Sequence, residues 1–346
     1  MRIETGESPQ NTSIGISDLN QLVKEVLLTE FSAEHADAMK DVIMFGELSG
    51  RTTHGIALLV RGDGVFVNPA REDPQYARKT QFSTLIDGRG NPGVLIASLA
   101  MDEAIRLAKR NHIGIVGAKG SSGTSGCLTY YCEKIAKEDL IGIIFSHTAP
   151  LIAPFNTRKA LFGTNPIAFA IPNTQRPIIF DMSTSAIAYG ALMEHKIEGK
   201  ELPQNVAIDS DGNVTTDPEK AVKGATLPFD ASYKGSGLAM MVEILGGLWT
   251  GASFEGTHQE DGWGSIFLTL SPDLLSDAEQ LKERTSEFIE TLLSTPTLGE
   301  GITRIPGENT LRVRDAVLLR GNVYVNSAVL EQIKDKLKTS TELRTS

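Results

Sequence analysis

The chain has 346 residues, 40% hydrophobic, 22% charged and 6% aromatic, which is the make-up of a globular protein with room for a sizeable core and two domains, and excludes disordered, collagenous and disulfide-scaffold classes. Its 33 basic against 43 acidic side chains leave a formal charge of −10, which argues against nucleic acid or an anionic membrane as partner. Cys127 and Cys132 share one helical stretch, no apolar run approaches the roughly 20 residues of a membrane span, and the first residues lack a signal-peptide pattern. The expectation is a cytoplasmic protein, neither exported nor anchored, with reduced cysteines.

The first ten or so residues read as frayed. Ser17-Asp18 then predicts a helix cap before the apolar run Leu19, Leu22, Val23, Val26 and Leu27. Ser32 predicts a second cap, opening a helix over 33–47 that runs out into Arg51-Thr52-Thr53-His54-Gly55 and puts a histidine at a helix exit. A strand over 82–87, a glycine turn and a helix with the stripe Val94, Ala97, Met101, Ala104 and Ala108 follow. A strand over 113–118, the Gly/Ser loop 119–126, a helix over 127–137 and a strand over 140–146 complete an α/β succession. Further strands are predicted at 167–171, 178–180 and 265–270, a polar turn at 209–213, and helices at 235–249, 277–293 and 329–337.

Gly88-Arg89-Gly90-Asn91-Pro92-Gly93 matches the G-x-G-x-x-G dinucleotide fingerprint between strand and helix. A proline stands in the turn, however, and the next strand runs into Lys119 instead of an acidic residue for a ribose, so a tight turn is the plainer reading. P-loop, zincin and nucleophile-elbow patterns and Cys/His zinc spacings are missing, so no metal is expected.

Several blocks in order carry a resemblance: Thr53-His54-Gly55; Gly163-Thr164-Asn165-Pro166; Asp181-Met182-Ser183-Thr184-Ser185; Asp209-Ser210-Asp211-Gly212; and Lys234-Gly235-Ser236-Gly237. Over about residues 17–335 the chain resembles the type 2 malate/L-lactate dehydrogenase family, which also holds ureidoglycolate dehydrogenases, diketogulonate reductases and piperideine-2-carboxylate reductases. The resemblance implies an α/β fold whose mixed-sheet cofactor domain is non-Rossmann and packs beside a discontinuous helical domain. Segments 1–80 and 271–346 would form the helical part and 81–270 the NAD(P)-binding and substrate domain. It implies a homodimer, NAD or NADP as cofactor, and a small-molecule substrate.

Hydride transfer at a carbonyl or imine carbon needs an acid to protonate the heteroatom, and histidine suits this near neutral pH. The resemblance gives that role to His54, with the Thr53 hydroxyl able to orient it. It implies cofactor contacts at Asp181, Met182, Ser183, Lys234 and Gly235, in the loops with Thr124, Ser125, His147 and Thr148, and at Gly307 and Glu308. Lys119, Arg158 and Lys159 are candidates for a 2′-phosphate. Thr164, with its G-T-N-P block, is as much support as contact; with His147 and Leu58 it is assigned to the substrate side.

The chain departs from its relatives around the expected pocket. Leu58 stands where relatives commonly carry an arginine that grips a substrate carboxylate, Thr124 replaces a histidine, Asn156-Thr157 replace paired glycines, and Ala191 replaces a lysine or carboxylate. Losing a charge-assisted contact of roughly 1.5–3 kcal/mol disfavours small 2-oxo acids unless Arg51 or Arg61 takes over. The reading is an NAD(P)-dependent oxidoreductase acting at C2 of a 2-oxo, 2-hydroxy or imino compound through an altered pocket. The alternatives are a catalytically silent cofactor- or metabolite-binding homologue and a cyclic ketimine reductase.

Overall fold

The fold is described from a computed structural model covering residues 10–69, 71–254, 262–299 and 301–345, with side chains to residue 340. Strand β1 (Asn11–Gly15) passes directly into helix α1 (Ile16–Leu27), which buries Leu19, Val23, Val26 and Leu27. Helix α1 is capped by Gly15 and not by the expected Ser17-Asp18, because the chain turns helical where its strand ends, with the Ile16 N–H bonded to the Gly321 carbonyl at 3.1 Å. Ser32 does cap α2 (Ala33–Leu48), its hydroxyl accepting the His35 N–H at 3.3 Å. Two single-turn 3₁₀ segments follow, Thr52–His54 and Ile56–Leu59.

Strands β2 (Gln75–Thr80) and β3 (Ser83–Asp87) form a hairpin. Helix α3 (Gly93–Asn111) crosses over to β4 (Ile113–Ser121), parallel to β3. Helix α4 (Leu128–Lys137), β5 (Ile141–His147), β6 (Ile167–Ile171) and β7 (Ile178–Met182) come next. Helix α5 (Tyr189–Glu198), β8 (Ala207–Ile208), α6 (Pro218–Lys223) and β9 (Ala225–Thr226) make a satellite around Ile187, Leu192, Leu202 and Val206. Helix α7 (Tyr233–Val242) ends earlier than the sequence predicts. It widens into a π-turn, Glu243–Gly247, where a Cβ on Gly246 or Gly247 would lie 3.2 or 3.0 Å from His147, a tight fit. Strand β10 (Trp263–Leu270), α8 (Ala278–Ser294), α9 (Glu308–Arg320), β11 (Asn322–Asn326) and α10 (Ser327–Thr345) complete the chain.

The main sheet has the order β2-β3-β4-β10-β5-β6-β7, and of its neighbouring pairs only β3 and β4 run parallel. This is the expected α/β, non-Rossmann mixed sheet, since a doubly wound dinucleotide fold would be mostly parallel. The chain ends meet: β1 pairs antiparallel with β11, α1 packs on α10 and α2 on α9. The turn 88–93 is a tight turn. Asn91 is buried and its Nδ2 donates to the Gly88 carbonyl at 2.8 Å, while a Cβ on Gly93 would sit 2.5 Å from the Gly123 and Thr124 carbonyls.

An edge-to-face run of rings, Phe45–Tyr130–Tyr131–Phe267, with centroids 5.7, 5.3 and 5.7 Å apart, ties α2 to α4 and β10. Burying one such ring removes roughly 150–250 Å² from water, worth about 4–6 kcal/mol. Helix α2 is thereby fixed to the sheet, and its C-terminal end delivers His54.

Candidate active site

Helix α2 and the histidine turn approach each other through glycine. A Cβ on Gly46 would lie 2.3 Å from the His54 carbonyl oxygen, and one on Gly55 would lie 2.0 Å from Glu47 Oε2. Glu47 is buried and its Oε2 accepts the Ile56 N–H at 2.9 Å; burial pushes this carboxyl up to about 7 against the hydrogen bond's opposite pull. From the other side, Arg61 Nη1 donates to the Thr53 carbonyl at 2.7 Å, while its Nε and Nη2 grip Asp63 at 2.9 and 2.5 Å.

His54 is half-buried, with Nδ1 3.3 Å from Thr53 Oγ1. Burial first, then the charges of Arg61 and Arg51, hold the imidazole down to about 4, so the ring is neutral at pH 7. Leu58 is fully buried in the main core, which leaves it no surface to offer a ligand.

The loop after β4 reaches the same place. The Thr124 N–H donates to the Asp63 carbonyl at 3.2 Å, so the loop is joined through Asp63 and Arg61 to the Thr53 carbonyl. Ser125 Oγ meets Ser146 Oγ at 3.1 Å. Between the start of α3 and the strand ends lies a narrow slot lined by Gly93, Ser121, Gly123, Ser125, Ser146, His147, Gly264 and Ser265, among others. His147 is buried, with Nε2 3.2 Å from Oε1 of buried Glu243. Asn165 joins this pair: its Nδ2 donates to Glu243 Oε2 at 2.7 Å and its Oδ1 accepts the Thr148 N–H at 3.3 Å.

The other blocks are bound to one another. The Thr164 N–H donates to Thr148 Oγ1 at 2.8 Å, and the Thr164 carbonyl accepts Ser183 Oγ at 3.0 Å and the Thr184 N–H at 3.0 Å. Asp181 Oδ2 accepts the N–H and hydroxyl of Thr129 at 3.0 and 2.8 Å, so this carboxylate caps α4, and burial raises its pKa. Met182, half-buried, pairs with Ile167. The close approach predicted for Gly235 is to the chain itself, a Cβ there lying 1.9 Å from the Phe229 carbonyl oxygen. Lys234 beside it is exposed and has no side-chain partner among the described residues. Gly307 packs on the backbone of Ile179 and, with Glu308, opens α9; neither residue is in a free loop. Gly190 would carry a Cβ 2.8 Å from Thr53 Cγ2, bringing the start of α5 to the histidine turn. Of the cations considered for a 2′-phosphate, Lys119 pairs with Asp87 at 3.3 Å and Arg158 lies along Gly212.

Two carboxylates of this region escaped the sequence reading, Glu47 and Glu243. The signal was there: each is a lone acid in an apolar helical run, Met44-Phe45-Gly46-Glu47-Leu48 and Met241-Val242-Glu243-Ile244-Leu245, where burial needs a partner.

The sequence profile of the malate/L-lactate dehydrogenase family matches residues 14–334. The chain is 35% identical over 301 residues to the L-sulfolactate dehydrogenase of Methanothermobacter thermautotrophicus, covering 83% of this chain and 86% of that protein. It is 34% identical over 275 residues, 76% and 78% of the two chains, to a Δ1-pyrroline-2-carboxylate/Δ1-piperideine-2-carboxylate reductase of Pseudomonas putida. Among solved structures, the malate dehydrogenase of Pyrococcus horikoshii superposes with a TM-score of 0.85 at 27% identity, over 96% of this chain and 97% of that one. The protein belongs to the malate/L-lactate dehydrogenase family and is an oxidoreductase. Among the described residues no helix is long and apolar enough to cross a membrane.

The residues present fit a dinucleotide. The slot offers hydroxyls and close backbone, in keeping with ribose and phosphate groups. The buried Ser122 Oγ in the same loop has no hydrogen-bond partner among the described residues, and Lys234 is an uncommitted cation.

Proposed function

We propose that the protein is an NAD(P)-dependent oxidoreductase that transfers hydride between nicotinamide and C2 of a 2-oxo/2-hydroxy or imino acid, with His54 as proton donor and acceptor. The observation that carries this reading is the half-buried, neutral imidazole, held by Thr53 and by a turn clamped from both sides by Glu47 and Arg61. The nicotinamide supplies or accepts the hydride. In the oxidative direction the neutral imidazole takes the proton of the substrate hydroxyl or amine; in the reductive direction the ring first takes a proton from solvent and then delivers it to the oxygen or nitrogen on C2, completing the proton balance. Thr53 orients the ring.

Ser125 and His147 at the slot, their chain neighbours Thr124 and Thr148, the 181–183 segment, Lys234 and Gly235, and Gly307 with Glu308 hold the cofactor in this reading. Thr164 supports the pocket from below, and His147 serves the substrate side as well. Leu58, sealed in the core, shapes the pocket only from behind. NADP in place of NAD needs a cation at the adenosine ribose, and Arg158 and Lys159 are the candidates.

A second reading, reduction of a cyclic ketimine, is favoured by the 34% identity to the Pseudomonas putida reductase. The same histidine would then protonate a ring nitrogen. A homodimer is also proposed. Its support is an exposed apolar face along the α7 region, with Tyr233, Met240, Met241, Ile244, Leu248 and Trp249, that a second copy of the chain would cover.

The test is cofactor consumption by the purified protein, with NADH and NADPH in turn, on pyruvate, oxaloacetate, 3-sulfopyruvate and Δ1-piperideine-2-carboxylate. Turnover of one or more is expected, and the preferred substrate separates the keto from the imine reading. No consumption of either cofactor with any of them contradicts the proposal.

A further inference from the structure

Two arginines flank His54, and the fold uses them differently. Arg61 is committed, holding both oxygens of Asp63 and the Thr53 carbonyl. Arg51 is exposed, donates one side-chain hydrogen bond, from Nη2 to Thr310 Oγ1 at 3.2 Å, and has no carboxylate partner among the described residues. A guanidinium carries five N–H donors in a planar fork that suits two-point contact with a carboxylate or sulfonate.

The root of Arg51 is fixed relative to the imidazole. Its N–H donates to the Gly46 carbonyl at 2.9 Å and its carbonyl accepts the His54 N–H at 2.8 Å, so both residues belong to one hydrogen-bonded turn. Its charge is felt by His54, by Asp181 at the end of β7 and by Cys127 before α4, while its tip touches α9 at Thr310. The uncommitted fork therefore springs from the turn that carries the imidazole and ends beside α9 at Thr310.

We propose that Arg51 anchors the acidic group of the substrate, a carboxylate or sulfonate, and is a specificity-determining residue of the His54 site. This rests on the reading of His54 as the proton-transferring group. The same chemistry would also suit a cofactor phosphate. The short tether to His54 favours the substrate, because the ring has to face the reacting carbon and an acid group on that carbon falls within reach of a fork on the same turn.

The test compares wild type, Arg51→Met and Arg51→Lys in three measurements. These are KM and kcat for the 2-oxo acid that the wild type reduces best among pyruvate, oxaloacetate and 3-sulfopyruvate, against the carboxamide of the same acid; the Kd of NADH by fluorescence; and the Kd of oxamate on the NADH-loaded protein by calorimetry. In Arg51→Met the KM for the acid should rise roughly 10- to 100-fold, the range of a lost charge-assisted contact. The KM for the amide and the Kd of NADH should stay put, and Arg51→Lys should fall between. An unchanged acid-to-amide preference overturns the proposal, as does a weaker NADH affinity with the KM for the acid unmoved, which would assign Arg51 to a phosphate. If the wild type reduces neither these acids nor Δ1-piperideine-2-carboxylate, the His54 reading fails; in that case, or where only the imine is reduced, calorimetry alone judges Arg51. Oxamate binding lost in Arg51→Met supports the anchor, and equal binding overturns it.

Discussion

The carboxylate of Glu47, at the end of α2, accepts the backbone N–H of Ile56 at 2.9 Å, and this bond fixes the turn that carries His54 to a helix with a largely buried C-terminal half. Removing the acceptor in Glu47→Ala leaves a buried N–H unsatisfied, at a cost of about 1–3 kcal/mol. It should also lower kcat by loosening the imidazole. Glu47→Gln keeps an acceptor oxygen and should stay close to wild type in both. Chemical denaturation and turnover of the two variants check this.

The same carboxyl gives a pH signature. Folding raises it from 4.5 to about 7, so between those values the folded protein keeps a proton that the unfolded chain has lost. Its contribution therefore falls as pH rises through that window. Denaturation midpoints for Glu47→Gln should lack this part of the slope.

His54 contributes with the opposite sign. Its pKa falls from 6.5 to about 4 on folding, so the unfolded chain binds the proton first and stability declines as pH drops from 6.5 towards 4. The difference in stability between wild type and His54→Gln, measured over pH 4–7, isolates this effect from that of Glu47. In kinetics, kcat/KM for oxidation should show no fall near pH 6.5, where an ordinary histidine would protonate.

Two glycines of α7 make a matched pair. A Cβ on Gly235 would meet the Phe229 carbonyl oxygen at 1.9 Å, whereas one on Gly237 would meet nothing within 4 Å. Gly235→Ala should destabilise by about 1–3 kcal/mol, as overpacking does. Gly237→Ala should be neutral, or stabilising by up to about 1 kcal/mol. Thermal unfolding of both separates a required glycine from a tolerated one.

The exposed apolar face of the α7 region makes its own prediction. Sedimentation of the wild type should show a dimer, and Trp249→Glu or Met241→Glu should shift it towards monomer. Unchanged sedimentation of the variants would place the interface elsewhere.

What the sequence disclosed follows from how local each signal is. Helix α2, with its Ser32 cap and apolar stripe, and the histidine at its exit were legible because cap, period and motif sit within a few residues of one another. Strands β1 and β11 were not: Asn11–Gly15 and Asn322–Asn326 are strands only because they pair across nearly the whole chain. Strand β2 escaped because Gln75–Thr80 is an exposed edge with no buried face to alternate. Helices α5 and α9 start from Ala188 and from Gly307 in the left-handed region, with no side-chain cap to announce them.

At the site, the motif residues were visible but not what each does. Asn165 of the G-T-N-P block is fully buried and ties the Thr148 N–H to Glu243, while the Asp181 carboxylate is engaged by Thr129. Both contacts are made between elements far apart in sequence, and no spacing rule anticipates them. The burial of Leu58 likewise depended on how the turn folds under α2.

The most direct measurement is single-turnover cofactor oxidation by His54→Gln beside its NADH affinity. A rate lower by roughly 10²–10⁴-fold, the share of a positioned acid–base group, is expected, with the Kd of NADH unchanged. Turnover at the wild-type rate would contradict it.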